Sequence, residues 1–170
     1  MGIIDKLYKE HSDLRDKLIA QGEVSFLTTV EEDFRKVLLL SVASYFEELI
    51  VAAIEGCVAK HSKAEERVVS FVRNTAIVRK YHTYFQWNDQ NVNYFLGLFG
   101  QKTKDKALKL ISSDDSLKNS IRDFLELGRL RNHMVHGNFA SYYLEKTPQE
   151  VYQQYISAAK FINFVERLLN

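Results

Sequence analysis

Residues 131–137 read RNHMVHG: an arginine, an asparagine and two histidines occupy six positions, and a glycine follows. Histidine titrates near neutrality and can take or give a proton. Arginine holds a permanent charge in a planar fork that matches the oxygens of a phosphate. The chemistry on offer is proton transfer beside a stabilised anion. On a helix, His136 lies five residues past Arg131, about 140° further round. Asn132 lies four residues before His136 and within reach of its ring. His133 and His136 also form H-x-x-H, a spacing that could supply two zinc ligands, but the glutamate of H-E-x-x-H and nearby cysteines are missing. The chain has no glycine-rich phosphate loop, and no serine or cysteine stands in a nucleophile motif.

Those residues need a scaffold, and the pattern of the chain predicts an all-α one. Leucine, isoleucine and alanine recur at three- and four-residue spacing with no period-two run. Helices are expected over 3–21, 30–60, 63–81, 89–99, 103–111, 117–136 and 148–169. Gly22 and Gly137 are expected to end helices in the left-handed conformation. Thr147, Pro148 and Glu150 form a capping box with proline in the first helical position, and Asp114 or Asp115 is expected to cap the helix that carries the histidines. At 170 residues, 46% hydrophobic and 26% charged, with no compositional break, one helical domain over residues 1–170 is expected.

The net charge of +1 excludes a whole-surface pull towards polyanions, so any such site must be a local patch. The single cysteine, Cys57, excludes an intrachain disulfide and fits a reducing compartment, so a cytoplasmic setting is expected. The opening residues are charged throughout and lack the apolar core of a signal peptide. The initial Met-Gly is a weak acylation match, without the hydroxyl residue that signal wants. The most apolar window, 37–54, carries Glu47 and Glu48 in its middle, which argues against a membrane span.

Two helices carry polar residues where apolar ones belong. In the 30–60 helix, apolar nearly all round, Ser41, Ser44, Glu48 and Glu55 form one narrow stripe. In the 117–136 helix, Leu117, Ile121, Phe124, Gly128 and Val135 are expected to be buried, with Lys118, Arg122, Arg129, His133 and His136 along a basic edge. Arg131 falls inside the apolar stripe. An inward arginine cannot discharge by losing its proton and needs a partner. Glu48, or failing that Glu47, is expected to supply it.

The run Arg131-Asn132-His133-Met134-Val135-His136, with Gly137 after it and LELGRL before it, resembles the Arg-x4-His motif of HEPN ribonucleases, the higher eukaryotes and prokaryotes nucleotide-binding superfamily. The segments LLLSVASYFEELIVAAIE and YFQWNDQNVNYFLGLFG look like its RiboL-PSP subgroup. The resemblance implies a compact helical bundle that dimerises with two motifs face to face. It also implies RNA cleavage without a metal or other cofactor, often in toxin–antitoxin or antiviral defence systems, with an antitoxin or regulatory protein as a further partner. Under it, Arg131 and His136 take the motif's functional positions and Asn132 its polar one; from their places on the two helices, His133 and Glu48 are expected to support them.

Such cleavage needs a base at the ribose 2′-hydroxyl and an acid at the leaving 5′-oxygen, and two-fold symmetry supplies both from one motif per chain. Lys118, Arg122 and Arg129 are expected to follow the RNA backbone. Lys102, Lys104, Lys106 and Lys109 read better as a solvated face. Tyr81, His82, Tyr84 and Trp87 could stack bases, but packing under a loop suits them better. The alternative is a non-catalytic interaction module in which Arg131 and His136 tie the helix end to the bundle or to a dimer interface.

Overall fold

The three-to-four-residue recurrence of apolar side chains produces seven α-helices among the described residues: α1 (Ile3–Ala20), α2 (Val24–His61), α3 (Glu66–Val72), α4 (Asn93–Gly97), α5 (Gln101–Ser112), α6 (Asp115–His136) and α7 (Pro148–Leu169). The computed structural model describes residues 2–170; Met1, half of the Met-Gly pair, lies outside them. No strand occurs among the described residues, and the fold is all-α.

Helix α2 is the axle. It buries Leu38, Leu39, Val42, Phe46 and Ile50 and packs against α1, α6 and α7, while α6 and α7 pack along one another. Each large side chain so buried contributes roughly 1.5–3 kcal/mol. By length and composition α2 could cross a membrane. The bundle buries 39% of its most apolar stretch between helices. At the centre, the ring of Phe124 on α6 lies 4.9 Å from those of Phe85 and Phe161. Ser120, fully buried, ties α6 to α7: its Oγ accepts from the Phe161 amide at 2.7 Å.

Several helix ends follow the expected chemistry. Gly22 adopts φ +73° just after α1. The Thr147 hydroxyl accepts from the Glu150 amide at 3.2 Å, and the Glu150 carboxylate accepts from the Thr147 amide at 2.8 Å. Asp114 caps α6, accepting from the Leu117 amide at 3.0 Å and from Lys160 Nζ of α7 at 2.8 Å.

Other expectations fail for local reasons. Helix α2 starts at Val24, six residues earlier than expected. The 63–81 helix is interrupted. Lys63 and Ala64 take positive φ, α3 restarts at Glu66, and a π-turn over Arg73–Ile77 inserts a residue while Thr75 Oγ1 donates back to the Phe71 carbonyl at 2.7 Å. The 89–99 helix shrinks to α4. Gly137 is extended (φ −92°, ψ −172°), not left-handed. A Cβ there would lie 3.1 Å from the His133 carbonyl, so close approach is what suits glycine.

Lys160 first, and the Leu117 amide second, hold the Asp114 carboxyl below the usual carboxylate range. A carboxylate lowered in this way stabilises the fold above its unfolded pKa of about 3.9, and the contribution disappears as pH falls through the lowered folded value. Asp114→Ala should therefore melt at a lower temperature than wild type at neutral pH, and the gap should close as the solution is acidified below about pH 4. Circular-dichroism melting across pH checks this.

Candidate functional site

The buried residues of α6 include Leu117, Ser120, Phe124, Leu127 and Met134. Their spacing follows 3.5 residues per turn rather than 3.6, so the seam drifts round the helix. This drift corrects one expectation: Met134 is fully buried, whereas Val135 is 46% exposed. The same seam passes through Arg131, two heptads after Leu117, and Arg131 is half-buried as a result.

Arg131 and Asn132 line a small cavity with Ala43 and Glu47 of α2 and with Tyr81, His82 and Trp87. Its volume, about 10 Å³, has room for at most one water. Arg131 Nη1 donates to Asn132 Oδ1 at 3.1 Å. The expected ion pair is absent: Glu48 is exposed, and among the described residues Arg131 makes no salt bridge. Helix rotation explains it. Glu47 sits one turn after Ala43, on the side facing α6, while Glu48 lies 100° further round with exposed Ser44. Glu55, on the same polar stripe, pairs with Arg73 at 3.2 Å, so that stripe is α2's solvent edge. Burial first, and the Glu47 charge second, push the Tyr81 phenol well above its ordinary value, so it stays neutral beneath the guanidinium.

The wall of this cavity is built by the 81–87 segment. Tyr81, Tyr84 and Phe85 are buried, Tyr84 donates to the Ala76 carbonyl at 2.7 Å and Trp87 Nε1 donates to the His82 carbonyl at 3.1 Å. These aromatics pack under the loop, as expected. His82 is exposed but lines the same cavity as Arg131, a proximity that the sequence pattern did not reveal.

His136 is the last residue of α6 and is exposed, as is His133 one turn earlier. The Asn132 carboxamide oxygen serves Arg131, so its expected role in orienting His136 is not seen. The chain then turns back along α2, where two cations hold it: Arg35 Nη1 donates to the Leu144 carbonyl at 2.9 Å, and Lys36 Nζ to the Phe139 carbonyl at 3.3 Å. Lys36 also lies 5.5 Å from the Phe139 ring centroid, a cation–π distance. Sequence reasoning missed both, because nothing local connects α2 to a loop a hundred residues later.

The basic edge is present and divided. Lys118 and Arg122 are exposed and line a cleft of about 560 Å³ between α6 and the α4–α5 region. Lys118 is bound to Asp115 at 2.8 Å and Arg122 to Asn119. Arg129 is half-buried, nearer the motif. Among the described residues, no three His, Cys, Asp or Glu side chains are grouped to hold a metal ion.

The bundle is all-α and of HEPN type. The chain belongs to the RiboL-PSP-HEPN family, whose model matches residues 5–170. HEPN domains are generally nuclease-like. No curated protein and no solved structure matches the chain.

Gly128 underpins this site. A Cβ on it would lie 1.9 Å from Cζ3 of Trp87, a rigid indole packed against Tyr81, Phe85 and Phe124. In a solvated helix, Gly→Ala would gain about 1 kcal/mol. Overpacking of about 1–3 kcal/mol opposes that gain here. Gly128→Ala should be net destabilising by up to about 2 kcal/mol in urea denaturation.

Proposed function

We propose that the protein is a HEPN-type endoribonuclease that cleaves RNA without a metal, acting as a two-fold dimer. The observation that carries this reading is an Arg131 held by Asn132 without an ion pair among the described residues, with an exposed His136 at the end of the same helix. The histidine lies about 7.5 Å further along the axis. His136 of one protomer takes the proton of the ribose 2′-hydroxyl, whose oxygen attacks the adjacent phosphorus. His136 of the other gives a proton to the leaving 5′-oxygen. Arg131 stabilises the charge on the non-bridging oxygens, where a fixed donor fork is worth most. The products are a 2′,3′-cyclic phosphate and a 5′-hydroxyl. His133 borders the pair, and Lys118, Arg122 and Arg129 follow the backbone over about 16 Å of α6. A cytoplasmic toxin or defence effector, restrained by an antitoxin or regulatory protein, is the setting such an activity suits.

The interaction-module reading requires the motif to brace the helix end. The hydrogen bond of Arg131 is to its own neighbour Asn132, and His136 is exposed, which makes bracing the weaker account.

Mixed RNA incubated with the protein in EDTA should be cut to cyclic-phosphate ends. His136→Ala and Arg131→Ala should each slow cleavage by about 10²- to 10⁴-fold. Melting of His136→Ala should stay within about 0.5 kcal/mol of wild type, as for an exposed residue. Cleavage that stops on chelation would contradict the mechanism, and equal inertness of all three proteins would favour the module.

A further inference from the structure

A cleft of about 560 Å³ runs between the first half of α6, α5 and the segment 90–93. Its walls follow from how α5 sits. That helix fully buries only Ala107 and leaves Leu108 and Ile111 half-buried along the cleft. With the buried Val92 and Ile121, they make an aliphatic floor, and no aromatic ring lines the cleft. Lys118 and Arg122 stand one turn apart on the α6 wall, and Lys104 stands one turn before Leu108 on the same face of α5. Asp115 is the one acidic residue of the lining. Its pairing with Lys118 is a surface contact, the two side chains 44% and 92% exposed, and pairs of that kind exchange at little cost. Arg122 makes no ion pair among the described residues; its partner, Asn119, is a neutral amide.

These walls have a definite complement. Cations one turn apart on a helix are separated by about 6 Å along its axis. In an extended chain, side chains i and i+2 share one face and lie about 6.6 Å apart. Carboxylates at alternate positions of an extended segment therefore match Lys118 and Arg122. The side chains between them face the opposite wall, where Leu108 and Ile111 offer aliphatic contact. The rim adds the amides of Gln90, Asn91, Asn93 and Asn119, each with donors and an acceptor. Asn91 Oδ1 accepts from the Asn93 amide at 3.0 Å and Asn119 Oδ1 from Arg122, so both keep their NH2 donors for main-chain carbonyls. A nucleic-acid strand fits less well: it can use the cations, but its bases find no ring to stack on. We infer that this groove binds an extended segment of a partner protein that alternates acidic and aliphatic residues, its carboxylates on Lys118 and Arg122 and its apolar side chains on Leu108 and Ile111. The inference stands without the nuclease reading. Such an occupant would also take two of the cations assigned to the RNA backbone and so compete with RNA.

The test selects binders of the full chain from a displayed library of random peptides of about ten residues, long enough to cross the groove when extended. Enriched sequences are remade and titrated by calorimetry and amide NMR. They should carry Asp or Glu at alternate positions with Leu, Ile or Val between, and shift the amides of 90–93, 108–111 and 118–122. Lys118→Glu with Arg122→Glu, checked for unchanged helicity, should weaken them at least about tenfold, the scale of one hydrogen bond to a charged group. Arg122→Ala, which adds no repulsion, should weaken them in the same direction. Exchanging the peptide's acidic residues for lysine should restore binding to the charge-reversed protein and abolish it to wild type. Oligo-dT, which has no 2′-hydroxyl to react, forms a second arm. An enrichment without acidic residues, no enrichment at all, or equal binding to the charge-reversed protein would overturn the assignment. So would oligo-dT that shifts the Ile111 and Ile121 amides where no peptide does, which would give the groove to nucleic acid.

Discussion

An arginine cannot shed its charge, and α6 carries one on its packing seam. That single constraint shapes the surroundings of the motif. The 3.5-residue drift of the seam brings Arg131 half inside, between α2 and the aromatic segment 81–87. It makes no ion pair with a carboxylate among the described residues, although Glu47 lines the same cavity, and one of its five donors goes to Asn132. A half-buried guanidinium that makes no ion pair keeps its charge and donors for an anion from outside.

The rest of the fold keeps that state rigid. α6 is anchored at its start by Asp114 and Lys160, in its middle by Ser120 and the Phe124 ring cluster, and opposite Gly128 by the Trp87 indole. Its last turn, with His133, Val135 and His136, stands exposed beyond these anchors. The loop that follows is carried back over α2 by Arg35 and Lys36 and ends at Thr147 and Pro148, where α7 starts.

Much of this was legible in the residues. Helical periodicity, the capping box at Thr147, the Asp114 cap and the Gly22 stop depend on near neighbours along the chain, and each appears as expected. The basic edge of α6 and the inward bias of Arg131 follow from one helical wheel. What failed depended on partners far away in sequence. Whether Glu47 or Glu48 faces α6 is set by the rotation of α2 in the bundle, and neither pairs. The exchange of Val135 for Met134 at the core came from a seam of 3.5 rather than 3.6. The need for glycine at position 128 came from an indole 41 residues earlier.

The central claim is that two His136 side chains face each other across a symmetry axis. It is tested most directly by placing cysteine at that position, His136→Cys with Cys57→Ser, and adding a bismaleimide short enough to span one phosphodiester. The account predicts a covalent dimer joined through residue 136, formed at concentrations where an exposed control cysteine on α5 stays uncross-linked. A protein that remains single-chain at position 136 under the same reagent, whether monomeric or dimerised through another face, would contradict it.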